Sequence, residues 1–454
     1  ISDGLGAGDI ATVLGMNPYK VGLCVAGAKR YGKEALTRIV SEITRVDAES
    51  KFGGLTGYTG RLWKDCSNHG DMTLSGMNNC SKTLMFAGCI GRNAKSNHSN
   101  MDNHGNITVK DFTSTNAIYI AGIDCGIGAS ASLTNCDNTG NITIESTASV
   151  KTNVYIGGVF ASVNANTGST NCSNSGDITV YATNSVNVKG VMRIGGFISQ
   201  HQKGTLKLSG TIKNSGNINF AGKQAGVIGT SIGGIFGGND GGKGDADKKS
   251  DGTYYADAEG LIHADSDAVI LNEGKVAFTG ETVQQFYIGG IAAFVSKYAI
   301  PATVKLINTG EVVATGKSGE GLEKNCVLSG IIGSMKAAIA NAQCFCDIYA
   351  PGYGKAEIGL LSGKAHSAAV TYTNAKVGGR ICVETDEEDE SEKWVTITED
   401  NFRSHLYKMS GSELTEEQIA AMQRIQWWKW ENDRLQEVEK MFEDIDGFIE
   451  KWDV

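Results

Sequence analysis

A short motif, Asn-x-Gly followed by a β-branched run, recurs seven times along the chain. The turn glycines are 35, 35, 36, 40, 58 and 36 residues apart, so the sequence repeats with a period near 35 residues. The copies begin at Asn68, Asn103, Asn138, Asn174, Asn214, Asn272 and Asn308. A repeat of this length predicts stacked copies of one supersecondary unit rather than several unrelated domains.

Each copy contains three short segments with the pattern of β-strands. The turn is followed by an alternating segment such as "NITV", then by a Gly-Gly element such as "YIGGVF", and a third segment leads into the next turn. No long run with helical spacing occurs between residues 55 and 380. Gly makes up 60 of 454 residues and Pro only 3, which indicates many tight turns between strands.

These features predict an all-β fold, a parallel β-solenoid (β-helix) of about eight rungs of ~35 residues. We expect the solenoid over residues 55–402, a loop insertion at 237–267, an α-rich N-terminal cap at 1–54 and an α-helical C-terminal cap at 403–454. Because Asn and Gly tolerate left-handed backbone, we expect that conformation at the Asn-x-Gly corners. The Gly-Gly pair is expected at a bend where adjacent rungs pack closely.

The position two residues before each turn Asn indicates whether the cysteines are reactive or simply buried. Down the stack this position reads Cys66, Met101, Cys136, Cys172, Ile212, Ile270 and Leu306, which we call the apolar ladder. A disulfide or metal site does not tolerate exchange of Cys for Met, Ile or Leu, so the cysteines are predicted to pack as buried hydrophobes. The "CFC" string at Cys344 and Cys346 places two thiols at i and i+2 of a strand, a poor geometry for a disulfide.

The long interval between the fifth and sixth turns indicates an insertion at Gly237 to Asp267. Its composition is that of an exposed loop. The string "DADKKSDG" partly resembles a Ca²⁺-binding loop but lacks the EF-hand ligand spacing and the closing Glu. Both a solvated loop and a contact with a cation or ligand therefore stay open. Because loops on one edge of a solenoid often form its recognition surface, we predict binding residues here: Asp245, Asp247, Asp251, Tyr254 and Tyr255.

The two ends of the chain lie outside the repeat. "DGLGAGDIATVLGMNPYKVG" resembles the N-terminal motif of viral-recombinase exonucleases, but the later acidic and Glu-x-Lys residues that hold Mg²⁺ in that family are not found. "IQWWKW" and the helical segment after it resemble the C-terminal tail of hexapeptide-repeat acetyltransferases, whose six-residue turns are absent here. Trp427, Trp428 and Trp430 in this tail are predicted either to close the end of the solenoid or to bind a sugar or partner. Since the chain begins at Ile1 without a signal peptide, we expect an upstream segment.

The repeat itself resembles the GLUG-type and related Gly-rich repeats of bacterial surface proteins, especially those of gut Bacteroidetes. The resemblance covers about residues 55 to 402, including the end of the array at "NAKVGGRICVE" and "WVTITEDNFRSHLYK". It implies a β-solenoid that is secreted or attached to the cell surface. It also implies a role in surface attachment, with carbohydrate or a host or cell-surface protein as the partner.

No residue pattern predicts catalysis or a cofactor. His69 and His104 occupy the middle of successive turns, where Thr139, Ser175 and Ser215 follow, so they are interpreted as turn-surface residues, with weak metal binding by the pair as the alternative. Three acidic residues that follow the turn glycines are interpreted as turn caps: Asp71, Asp177 and Glu311.

The sequence therefore predicts non-enzymatic adhesion or recognition, through a solenoid face and its loops. A carbohydrate-active β-helix enzyme, such as a polysaccharide lyase or glycosidase, and an acetyltransferase-related protein remain the alternatives. The net charge of −9 argues against nucleic acid as the partner, and no apolar run is long enough to cross a membrane.

Overall fold

A computed structural model describes residues 50–397, except for 77–80, 94–95, 111–113, 128–130, 146–152, 164–165, 182–190, 202–205, 225–229, 239–261, 265–267, 296–302, 336–338, 366–371 and 386–391. The chain divides into two compact units, Ile1–Ser50 and Lys51–Val454, and the strands described below lie in the second apart from Ser50. The predicted C-terminal cap and residues 1–49 of the N-terminal cap lie outside the described residues. Within the described residues the structure is all-β, and its single helix is the 3₁₀ turn Glu323–Asn325.

The strands stack in parallel into long sheets that run along the axis of a β-solenoid, as predicted. Sheet A, which contains the Gly-Gly elements, has nine strands: Ser50–Gly53, Leu84–Ala87, Ile118–Ala121, Val154–Gly157, Met192–Gly195, Thr230–Gly233, Phe286–Gly289, Val327–Ser329 and Glu357–Gly359. A strand of sheet B follows six of these strands after a short bend: Asp124–Ile127, Phe160–Val163, Ile198–His201, Ala292–Val295, Ile332–Met335 and Ser362–Ala365. Phe236 bridges Ile198 to Ala292 and makes sheet B continuous.

Sheets C and D lie before and after the Asn-x-Gly corner. Sheet C contains Lys64–Asn68, His98–Asn103, Ala131–Thr134, Asp137–Asn138, Thr167–Thr170, Ser173–Asn174, Leu206–Ser209, Thr211–Asn214, Ile262–Ala264, Val269–Asn272, Lys305–Asn308 and Ala342–Phe345. Sheet D contains Met72–Ser75, Ile107–Lys110, Ile142–Glu145, Ile178–Tyr181, Ile218–Ala221, Val276–Phe278, Val312–Ala314 and Ile348–Tyr349. Two small pairs complete the set: Lys223–Gln224 with Glu281–Thr282, and Ile339–Ala340 with Tyr372–Thr373.

The solenoid has about seven turns, one fewer than predicted. The last Asn-x-Gly corner is the one at Asn308, and Cys344 takes its place in the next rung. After that, Lys376–Thr385 passes from sheet C into sheet D as one ten-residue strand and pairs antiparallel with Glu392–Ile397. The described part of the coil therefore ends in an antiparallel pair of strands. Residues 50–53 of the predicted α-rich cap form the first strand of sheet A.

The Asn-x-Gly corners differ from the prediction in their backbone. The left-handed residues are not the turn Asn or Gly but residues that lie three positions before the corner, among them Asn100, Asn135 and Asn171, each with φ of 50°. The turn Gly is needed for a different reason. A Cβ on Gly140 would lie 2.0 Å from the carbonyl oxygen of Gly105 in the rung below. The close approach of adjacent rungs, rather than the φ angle, requires glycine at this position.

The Gly-Gly pairs pack as predicted. A Cβ on Gly158 would lie 2.0 Å from the carbonyl oxygen of Gly196 in the next rung, and a Cβ on Gly157 would lie 1.8 Å from that of Phe160 across the bend. The first glycine therefore permits the sharp bend from sheet A into sheet B, and the second permits close stacking of the rungs.

The apolar ladder forms part of the core. Met101, Cys136 and Cys172 are fully buried, and Cys66 is half-buried against the same cluster. The Cys136 N–H donates to Cys172 Sγ at 3.4 Å, and all the cysteines in the described part of the chain are free. Because Cys136 and Cys172 are unbridged and are buried in the hydrophobic core, the prediction that Cys acts here as a hydrophobe is confirmed.

A second stack, the asparagine ladder, consists of the seven turn asparagines from Asn68 to Asn308. Each side-chain Nδ2 donates to the carbonyl oxygen of the Gly two residues later, and six of them also donate to the Oδ1 of the next Asn at 2.6–2.8 Å. Asn103 and the asparagines above it are fully buried. Because buried amides must be hydrogen-bonded, these bonds fix both the corner and the register of the rungs.

Candidate functional site

The outer faces of sheets A and B meet at the bend after each strand of sheet A, and we call the angle between them the A–B groove. One wall is a row of side chains in parallel register on sheet A: Met85, Tyr119, Tyr155, Arg193, Ser231, Tyr287, Val327 and Glu357. The other wall is a row on sheet B: Gly126, Ser162 and Gln200, and, farther along the axis, Phe294, Ser334 and Lys364.

The sharp bend after each strand of sheet A brings the two walls together. The groove has a floor of small residues such as Ala121 and Ala161, both fully buried. Side chains at the floor bond to the backbone of sheet A: Ser199 Oγ donates to the carbonyl oxygen of Arg193 at 2.8 Å, and Cys125 Sγ donates to that of Tyr119 at 3.1 Å. The two sheets are therefore fixed at a steep angle rather than free to open.

Contacts across the groove show that the rows face each other along its length. Near the N-terminal end, a Cβ on Gly126 would lie 3.8 Å from Met85 Cε. In the middle, the Arg193 guanidinium lies 4.9 Å from the centre of the Phe294 ring. Near the C-terminal end, Lys364 Nζ bonds to Glu357 Oε1 at 2.7 Å.

Tyrosine rings dominate the sheet A wall. Tyr119 and Tyr155 are stacked, with ring centres 5.0 Å apart and an interplanar angle of 21°. Tyr155 is buried and its hydroxyl accepts a bond from Asn153 Nδ2 at 3.0 Å, whereas Tyr119 and Tyr287 are half-buried. Burial raises the pKa of Tyr119 to about 12, with smaller contributions from Tyr155 and Cys125. The Tyr119 phenol therefore stays neutral and able to donate a hydrogen bond at physiological pH.

The sheet B wall carries polar atoms that are removed from bulk water. Ser162 is 4% exposed, and its Oγ has no hydrogen-bond partner within the described structure. Gln200 lies beside it in the next rung and is 2% exposed. An unpaired buried hydroxyl of this kind is destabilising by about 1–3 kcal/mol.

The sequence-predicted binding residues are not among the groove residues. Asp245, Asp247, Asp251, Tyr254 and Tyr255 lie outside the described residues, as do Trp427, Trp428 and Trp430, so these assignments stay predictions. The structure does show where the insertion leaves and rejoins the solenoid. It leaves after Gly238, next to the ring of Phe294 in the sheet B wall, and rejoins sheet C at Ile262–Ala264. The predicted binding loop thus starts at the rim of the groove.

The turn histidines lie on the surface, as predicted. The rings of His69 and His104 are exposed and stacked 4.6 Å apart, with further bonds to Ser67 and Thr139. No group of three or more His, Cys, Asp or Glu side chains that could hold a metal ion occurs between residues 50 and 397 where the chain is described.

The partners of the acidic residues after the turn differ from the prediction. The carboxylates of Asp71 and Asp177 accept the backbone N–H of Asn106 and Asn217 in the following rung, at 2.8 and 2.7 Å. They link adjacent rungs rather than cap their own turns. Glu311 bonds instead to Lys275, with Oε2 and Nζ 2.9 Å apart.

The groove residues were missed by reasoning from the sequence, although a signal was present. Tyr119, Tyr155, Arg193 and Tyr287 each immediately precede the Ile of a Gly-Gly or related element. A position on the outer face, next to a recurring structural element, that repeatedly holds Tyr or Arg is a candidate for binding.

Comparisons with known protein families, with curated proteins and with solved structures find no match for this chain. Among the described residues, no helix has the length and apolar character needed to cross a membrane.

Proposed function

We propose that this protein is a non-enzymatic carbohydrate-recognition protein that binds a glycan chain along the A–B groove. The observation that carries the proposal is the row of Tyr119, Tyr155, Arg193 and Tyr287 on one wall. Tyrosine rings offer an apolar face to the C–H groups of a sugar and a hydroxyl to its polar edge, and Arg donates several hydrogen bonds from one plane.

The length of the row favours an extended ligand. Tyr119 and Tyr287 are four rungs apart in the register of sheet A. With neighbouring strands ~4.8 Å apart, they are separated by roughly 19 Å along the axis. A single sugar does not span this distance, so an oligosaccharide or polysaccharide that lies parallel to the axis is the class of ligand that uses the whole row.

The charges of the groove favour binding over cleavage. Among the described residues of the two rows, the single carboxylate is Glu357, and it is held by Lys364 at 2.7 Å. Most glycosidases need two carboxylates that flank the scissile bond. With the resemblance to surface-attachment repeats, this charge pattern supports a role in adhesion outside the cell.

Binding of the full chain to immobilised polysaccharides and to a glycan array tests the proposal. Replacement of Tyr287 by Ala should weaken binding to the polysaccharide that the wild type retains by about tenfold or more. Tyr181→Ala is the matched control, because Tyr181 is an exposed tyrosine on sheet D, outside the groove. Equal loss in both variants, or release of shortened glycan during incubation, would contradict the proposal.

A further inference from the structure

A depression of about 380 Å³ opens at the corner between sheets C and D, where the asparagine ladder ends. Thr309, Glu311, Phe345, Asp347 and Gly378 are among its lining residues. It lies on the corner between sheets C and D, whereas the A–B groove lies on sheets A and B. It is therefore a separate candidate site.

The depression exists because the last corners depart from the repeat. "CFCD" at 344–347 and "VGGR" at 377–380 occupy the positions that hold Asn-x-Gly in the seven earlier rungs. Phe345 takes the place of the middle turn residue, and its partner in the next rung is Gly378. Since Gly378 and Gly379 have no side chains, neither covers the Phe345 ring with one, and Phe345 is 48% exposed in the described part of the chain.

The glycines at this corner are fixed by close contacts. A Cβ on Gly378 would lie 3.1 Å from Phe345 Cδ1, and a Cβ on Gly379 would lie 2.0 Å from the carbonyl oxygen of Cys346. One side of the depression is therefore backbone, which lets a ligand approach the aromatic ring closely.

The two carboxylates beside the ring have their charges balanced. Glu311 Oε2 bonds to Lys275 Nζ at 2.9 Å. Asp347 Oδ2 accepts from Arg380 Nη2 at 2.5 Å and Nε at 3.1 Å, and its Oδ1 accepts the Arg380 backbone N–H at 2.8 Å. Such carboxylates keep lone pairs for further donors but present little net charge, which favours a neutral hydroxylated ligand over a cation.

Arg380 is itself held in place by the antiparallel pair of strands. Its guanidinium lies 4.4 Å from the centre of the Trp394 ring, which stacks on Tyr349 at 5.8 Å. The Trp394 indole N–H donates to Glu392 Oε2 at 2.7 Å. This chain of contacts fixes the orientation of the Asp347 carboxylate before any ligand arrives.

We propose that this depression binds one neutral sugar unit, with the Phe345 ring against its C–H face and Glu311 and Asp347 as acceptors for its hydroxyls. The volume is close to the lower end of the ~300–1,000 Å³ range of small-molecule sites, which suits a monosaccharide or the end of a glycan chain. The proposal adds a second, independent site to the A–B groove and does not rest on it.

The test is saturation-transfer NMR on the full chain with the methyl glycosides of glucose, galactose, mannose and N-acetylglucosamine as probes. We expect transfer to at least one of them, with a Kd of the order of 1 mM, as is usual for a single-unit contact. Phe345→Ala and Gly378→Val, which remove or cover the aromatic face, should each raise the Kd about tenfold or more. Phe345→Tyr keeps the ring and should retain binding.

Two controls separate this site from the A–B groove. Tyr287→Ala should weaken polysaccharide binding and leave glycoside binding unchanged. Phe345→Ala should weaken glycoside binding and leave polysaccharide binding unchanged. If none of the glycosides receives saturation from the wild type, or if Phe345→Ala binds as the wild type does, the proposal is wrong. If the wild type binds a glycoside but no polysaccharide, the proposed function is wrong, whereas the proposal for this depression is unaffected.

Discussion

Replacement of Asn138 by Ala is the sharpest test of the asparagine ladder. The side chain makes three buried hydrogen bonds: Nδ2 donates to the carbonyl oxygen of Gly140 at 2.9 Å and to Asn174 Oδ1 at 2.6 Å, and Oδ1 accepts from Asn103 Nδ2 at 2.7 Å. Each such bond contributes about 1 kcal/mol net, and stranding a buried partner adds ~1–3 kcal/mol. We therefore expect Asn138→Ala to lower the free energy of unfolding by about 4–6 kcal/mol.

Asn141→Ala is the matched control for this experiment. Asn141 is exposed, lies in the same rung, and its side chain accepts one backbone N–H, from Asp177 at 2.9 Å. Its loss should lower the free energy of unfolding by about 1 kcal/mol or less. Asn138→Asp keeps the acceptor but removes the donor, so it should be at least as harmful as Asn138→Ala, because a carboxylate would then face Asn174 Oδ1.

Urea unfolding followed by far-UV circular dichroism measures the differences. Because rungs of a repeat protein can open locally, hydrogen exchange of the amides in residues 131–145 should accompany it. If Asn138→Ala and Asn141→Ala prove equally stable, or if exchange in this rung does not increase in the first variant, the ladder does not hold the rungs in register.

Other predictions concern single positions in the core. Burial raises the pKa of Asp124 to about 8, above its unfolded value near 3.9, so its contribution to stability is present below about pH 4 and is lost as the pH rises through about 8. Asp124→Asn, which keeps an acceptor for the Gly126 N–H, should therefore reduce the fall in Tm between pH 5 and pH 9. Gly158→Ala forces a Cβ to within 2.0 Å of the Gly196 carbonyl oxygen and should be destabilising by about 1–3 kcal/mol in urea unfolding. Cys172→Val should change the free energy of unfolding by less than about 1.5 kcal/mol, whereas Cys172→Ser, which buries a hydroxyl, should lower it more.

Much of the inward-facing structure was predictable from the sequence. The solenoid follows from the spacing of the turns, and the structure pairs residues as that spacing requires: Asn138 with Asn174, and Ile142 with Ile178. The burial of Cys172 follows from its exchange with Met and Ile at the same position. These features can be read from the repeat because an inward-facing position has a similar environment in every rung, so similar residue types recur there.

The close packing of rungs at the Gly-Gly pairs was predictable, but other features that depend on contacts between rungs were not. The turn Asn was interpreted as a residue that tolerates left-handed backbone, yet Asn135 adopts that conformation and Asn138 forms the ladder. Both roles use Asn, and both side chains bond to an Asn of a neighbouring rung, so burial and backbone φ rather than residue type distinguish them. The A–B groove depends on the angle of the bend after Gly157, which no local pattern specifies.

The contrast between the ladders and the outer rows indicates where function is located. Residues that bond one rung to the next recur along the stack, as Asn does at seven successive corners. The sheet A row changes at nearly every rung, from Met85 through Tyr155 and Arg193 to Glu357, and several of its large side chains are only half-buried. Stacking alone gives no reason for this variety, because any β-former would complete the sheet. The same reasoning applies to Phe345, which interrupts a corner that the earlier rungs keep constant. Binding is therefore to be sought where the repeat changes on the outer surface, and not in the Cys, Asn and Gly positions that make the repeat visible.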